Sequence, residues 1–154
     1  MKQVIIIILL LSGFMNCSFA QKTEKSFNGE TYIIENNYIY NKKDNIYKQE
    51  LSNCEYYRAE EISSLRTIID GILSKDKKES LSGKRLTLLL LLDKNGLIKE
   101  VRFRIPPKED SPSDLSISIE EIYKLEQQLK KYQFKLTSDC PDIEYYRFNW
   151  SYKF

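Results

Sequence analysis

The chain has 154 residues, 24 Lys and Arg against 22 Asp and Glu, a formal charge of +2 and no histidine. Near charge balance leaves no field to gather nucleic acid or an anionic membrane surface. The missing imidazole excludes Ser-His-Asp and Cys-His nucleophile activation and removes the commonest transition-metal ligand.

Met1-Lys2-Gln3, the apolar run Val4–Leu11 and Ser18-Phe19-Ala20 before Gln21 have the layout of a secretory signal peptide over residues 1–20. The run is too short to span a bilayer. Cys17 offers a second reading, lipidation, against which stands the bulky polar Asn16 just before it. Either reading sends residues 21–154 to the periplasm, the cell surface or the medium. That length suits a single α+β domain with a core of ordinary size. Cys54 and Cys140 follow the leader. An even count in an oxidising compartment predicts one disulfide, worth about 4–5 kcal/mol by loop entropy; two buried thiols are the alternative.

Gln21–Gly29 is polar and expected to fray. Thr31–Ile34 and Tyr38–Tyr40 are β-branched and aromatic, and Glu35-Asn36-Asn37 between them supplies a turn, so a hairpin is predicted. Ile46-Tyr47 offers a short third segment. From about Tyr57 to Leu73 the period changes: Ile62, Leu65, Ile68, Ile69, Ile72 and Leu73 form the stripe of an amphipathic helix, with Gly71 a weak point. Ser74–Lys84 reads as a charged linker loop between a first half, 21–83, and a second, 84–154.

Leu86–Leu92 is a continuous apolar run, and Asp93-Lys94-Asn95-Gly96 after it is a strong hairpin turn. Val101, Phe103 and Ile105 then alternate with Glu100, Arg102 and Arg104. The first strand is therefore expected to be buried on both faces and the second on one. Pro106-Pro107 stops it, and Ser118 with Glu121 fits a capping box opening a helix to about Tyr132. Tyr145–Phe154 has the cleanest period of two in the chain, with Tyr146, Phe148, Trp150, Tyr152 and Phe154 on the core face.

This order of strand, Asn-Gly hairpin, strand, loop, helix and strand resembles the C-terminal domain of TonB-type energy transducers. Asp114-Leu115 before the helix and Lys131-Tyr132-Gln133-Phe134-Lys135 after it add to the likeness. The resemblance implies a ββαβ module, a small antiparallel sheet with helices on one face, in a stand-alone exported protein of Bacteroidetes type. It also implies partner peptides received along an exposed strand edge. The long Pro-rich spacer of the transducers is missing, and Leu136 stands where that family often has proline, so energy transduction is not expected.

Catalytic chemistry finds little footing. Glu60-Glu61 and Glu120-Glu121 are adjacent pairs, and adjacent helical residues do not face each other as a glycosidase pair must. Cys54 or Cys140 as a nucleophile would need another base. Asp93-x-Asn95-Gly96 hints at calcium, but its glycine comes too early. Glu109, Asp110 and Asp114 sit in a Pro/Ser loop that reads as an ordinary acidic loop. No catalytic residue, metal site or cofactor is expected.

Arg102 and Arg104 share a polar strand face, as do Arg147, Asn149, Ser151 and Lys153. If the two strands share a sheet, four cations could dock an acidic partner; an ordinary solvated face is the alternative. The expected function is a non-enzymatic, exported binding domain of the bacterial envelope whose partner is another envelope protein, bound at a strand edge. A second reading is a small-ligand or carbohydrate binder using Tyr38, Tyr40, Tyr56 and Tyr57. A third is a carboxylate-dependent hydrolase.

Overall fold

Where apolar residues alternate with polar ones the chain forms strands, and where they recur at three and four it forms helices. The computed structural model describes residues 22–44, 46, 57–59, 63–106, 115–138, 140 and 142–154. The leader, Cys54, Tyr56, Glu60-Glu61 and the acidic loop with Glu109, Asp110 and Asp114 lie outside the described residues. In chain order the elements are β1 (Thr23–Phe27), β2 (Glu30–Glu35), β3 (Tyr38–Asn41), β4 (Tyr57–Ala59), α1 (Ser63–Ile72) and α2 (Lys75–Ser80). There follow β5 (Arg85–Asp93), β6 (Ile98–Arg104), α3 (Ile119–Leu129), β7 (Leu136–Ser138) and β8 (Tyr145–Lys153). This is an α+β fold. No helix among the described residues is long and apolar enough to cross a membrane.

Six strands make one antiparallel sheet in the order β1-β2-β3-β6-β5-β8. The early hairpin thus continues the later sheet, with Tyr38, Ile39 and Tyr40 facing Arg104, Phe103 and Arg102. Its turn is made by Asn36 and Asn37 at φ 52° and 66°, a backbone region in which Asn is tolerated. Tyr32, Ile39, Leu86, Leu88, Leu90, Val101, Phe103 and Tyr152 project from one face into a core shared with Leu65 and Ile69 of α1 and Ile122, Leu125 and Leu129 of α3. Each such side chain, fully buried, contributes about 1.5–3 kcal/mol.

Several elements depart from the sequence pattern. Thr23–Phe27 is an edge strand rather than a frayed tail, paired along its length with β2. Tyr57–Ala59 is not the first turn of a helix but pairs with β7 in a separate two-stranded sheet. Ser74–Lys84 is not a plain loop: the Ser74 hydroxyl accepts from the Lys77 amide and caps α2, as N-cap serines do. The capping box of α3 forms as expected, Ser118 and Glu121 satisfying each other's backbone amides.

The Tyr132-Gln133-Phe134 segment after α3 holds the β5–β6 turn. Phe134 N–H donates to Gly96 O at 2.9 Å, and Gln133 Nε2 donates to Asn95 O at 2.8 Å. Asp93 Oδ1 accepts from the Asn95 and Leu97 amides, which gives that aspartate a turn-closing role.

Candidate functional site

β8 is an edge strand of nine residues, paired on one side only among the described residues. It is the longer and more aromatic of the two sheet edges; β1 at the other end is five residues, mostly exposed and charged or polar, the blunted kind of edge that resists pairing. Phe154 N–H donates to Lys84 O at 3.1 Å. In an antiparallel ladder N–H direction alternates. The amides of Tyr146, Phe148, Trp150 and Tyr152 therefore turn toward β5, and those of Tyr145, Arg147, Asn149, Ser151 and Lys153 turn outward.

The inner side of β8 is tied down firmly. Tyr152 Oη donates to Asp70 Oδ1 of α1 at 2.6 Å, and Lys78 of α2 lies 3.0 Å from the same oxygen. The Tyr152 hydrogen bond and Lys78 hold the Asp70 carboxyl below its usual range, while burial and then Asp70 push the Tyr152 phenol up. The Arg66 guanidinium sits 4.8 Å from the Tyr152 ring centre. Phe148, Trp150 and Phe154 pack on the core but stay only half-buried, so the edge carries apolar surface beside its outward backbone.

The register places the predicted residues on one face, opposite the helices. Thr87 faces Arg104 on one side and Ser151 on the other; Leu89 likewise lies between Arg102 and Asn149, and Leu91 between Glu100 and Arg147. β5 thus separates the two pairs of cations, and they do not form one cluster. Arg102 is half-buried with its guanidinium 4.5 Å from the Tyr40 ring centre. Arg104, Arg147, Asn149, Ser151 and Lys153 are exposed.

Of the tyrosines of the first half, Tyr38 and Tyr40 lie opposite Arg104 and Arg102 on the outer face, and Tyr38 is half-buried. Tyr40 is 4% exposed and its hydroxyl donates to Glu35 at 3.1 Å. Of the carboxylate pairs, Glu120 bonds Lys124 and Glu121 serves the capping box.

Two features were missed in the sequence. Arg85 lies on the same face as Thr87, across from Lys153. Glu126 is 1% exposed on the inner face of α3. It accepts from Tyr32 Oη at 2.5 Å and lies 2.7 Å from Lys130 Nζ, which also reaches Asp44 at 2.9 Å. Burial raises the Asp44 carboxyl to about 6 despite Lys130. Burial works against the Lys130 charge, but Glu126 and Asp44 outweigh it and leave its pKa raised. The signal for Glu126 was its place in the stripe of Ile119, Ile122 and Leu129, where an apolar residue belongs. The cluster ties α3 to the β2–β3 hairpin.

No family model matches the chain, and no curated protein matches it. Among solved structures it is similar to a DUF5043 family protein from Bacteroides uniformis, with a TM-score of 0.65, 20% sequence identity, and coverage of 88% of this chain and 86% of that one. This likeness shows the fold. The energy-transducer resemblance is not confirmed by these findings.

Proposed function

We propose that this chain is a non-enzymatic, exported binding domain of the bacterial envelope that takes an extended segment of another envelope protein along β8. The carrying observation is the edge itself: five outward amides over nine residues, beside half-buried aromatics, on a strand fixed from behind by Tyr152 and Asp70. Backbone pairing supplies affinity in this mode, and flanking side chains supply selection. Arg147, Asn149, Ser151 and Lys153 lie nearest the added strand, with Arg102 and Arg104 farther across the face. Export rests on the leader pattern in residues 1–20.

The same reading includes a Cys54–Cys140 disulfide. Tyr57 pairs with Ser138, and in the sequence Cys54 comes three residues before the one and Cys140 two residues after the other.

A photo-crosslinker at Arg147, exposed to native envelope extract, tests the function. One dominant adduct that disappears on adding Asn149→Pro, in a domain with unchanged circular dichroism, is expected. An adduct indifferent to that proline would refute strand addition.

A further inference from the structure

We propose that the outer face of the sheet carries a binding site for a tetrahedral oxyanion, phosphate or sulfate, free or as a monoester. An open cleft of about 360 Å³ lies where β3, β6, β5 and β8 come together. It is lined by Asn37, Arg85, Thr87, Arg104 and Ser151, with Ile105 and Pro106 at the end of β6.

The ladder explains the grouping. Thr87 sits in one row between Arg104 and Ser151, and Arg85 precedes it by two residues on the same face. Neighbouring strands are about 4.8 Å apart and same-face residues of one strand about 6.8 Å. Two guanidinium groups therefore flank the Thr87 hydroxyl at a spacing that one oxyanion can bridge.

Thr87 Oγ1 and Ser151 Oγ are 3.0 Å apart. One hydroxyl donates to the other, and the second proton remains to donate outward. The Tyr38 ring lies 5.8 Å from the Arg104 guanidinium and helps to orient it. Among the described residues no carboxylate forms an ion pair with Arg85 or Arg104. Lys153 faces Arg85 across the ladder and adds to the positive field.

Two planar forks, one from β5 and one from β6, with a hydroxyl between them offer more donors than a carboxylate has oxygens to accept, and Arg suits such oxyanions by geometry. A net charge of only +2 gives the chain as a whole little long-range pull on a polyanion. The site therefore fits one compact oxyanion. It does not depend on strand addition at β8, and either proposal can fail alone.

The test is titration of the ¹⁵N-labelled full chain with sodium phosphate, sodium sulfate, methyl phosphate and acetate at constant ionic strength, followed by amide and arginine Nε–H shifts. Saturable shifts confined to Arg85, Thr87, Arg104 and Ser151 are expected with the first three. Arg85→Gln and Arg104→Gln should each weaken binding about tenfold, and Lys94→Gln, on an exposed turn, should leave it unchanged. Methyl phosphate binding as well as inorganic phosphate identifies an ester as an acceptable source; free phosphate alone identifies the free ion. Linear shifts spread over surface lysines, equal binding of acetate, or full binding by the double arginine variant would each overturn the proposal.

Discussion

The Tyr32 hydroxyl and the Glu126 carboxylate meet at 2.5 Å between the sheet and α3, in a place where both residues are 1% exposed or less. A charge so buried is stable only while its partners remain, and removing one leaves the others unsatisfied. Tyr32→Phe should cost about 1–2 kcal/mol. Glu126→Leu should cost about 3 kcal/mol, because Tyr32 Oη loses its acceptor and Lys130 loses one of two carboxylates. Urea unfolding measures both; costs near zero would mean that the cluster is solvated in solution.

Asp44 gives the domain a pH dependence of unusual sign. Its carboxyl rises from 3.8 to about 6, chiefly through burial. The folded state then binds more protons than the unfolded one between about pH 4 and 6, so this group's contribution to stability falls as pH rises through that window. Glu30 and Asp70 are shifted the other way, so the difference between wild type and Asp44→Asn isolates the effect. That difference should drop between pH 4 and 6, by about 3 kcal/mol at most. A flat difference would place Asp44 in water.

Gly96 cannot carry a side chain. It has φ 81°, and a Cβ there would lie 2.1 Å from the Phe134 carbonyl oxygen. Gly96→Ala should cost about 2–4 kcal/mol, from left-handed strain and the displaced 132–134 segment. Asn95→Ala, one residue earlier, serves as control and should unfold at nearly the wild-type urea concentration.

Adjacent positions on β8 should answer proline oppositely. Asn149→Pro removes an outward amide and should change stability by less than about 1 kcal/mol, as edge prolines do. Trp150→Pro removes a bond to β5 and should cost about 3 kcal/mol or more. Thermal melts of the two variants compare them directly; equal losses would contradict the assigned alternation.

If the proposed Cys54–Cys140 bond forms, a reductant should lower the melting temperature of the oxidised protein, and should do nothing further to a Cys54→Ser, Cys140→Ser double variant. The loss should reach about 4 kcal/mol if loop entropy dominates. Thiol counting that finds two free sulfhydryls before reduction would remove the bond.

Strong local periodicity made most of this fold readable. The Asn36-Asn37 and Asn95-Gly96 turns, the Ser118 cap, and the alternation from Tyr145 to Lys153 are set by neighbours in sequence. What was not readable depends on distant partners. Thr23–Phe27 is a strand because β2 offers it an edge, and Tyr57–Ala59 is one because Leu136–Ser138 lies alongside. The candidate site divides the same way: the outward residues of β8 followed from period two. Arg85 joined them only once the register across β5 was known.

The sheet order also fixes when the fold can close. β5 is flanked by β6, its neighbour through a tight turn, and by β8, whose residues begin more than fifty positions later. Every residue of β5 from Arg85 to Asp93 has a partner between Tyr145 and Lys153. A chain emerging N-terminus first therefore keeps its most apolar strand open on one side until residues 145–153 arrive. Such long-range pairing is slow, because loop closure must precede its reward. Until then Leu86–Leu92 presents one open, aggregation-prone edge, so the last nine strand residues act as the cover that retires it.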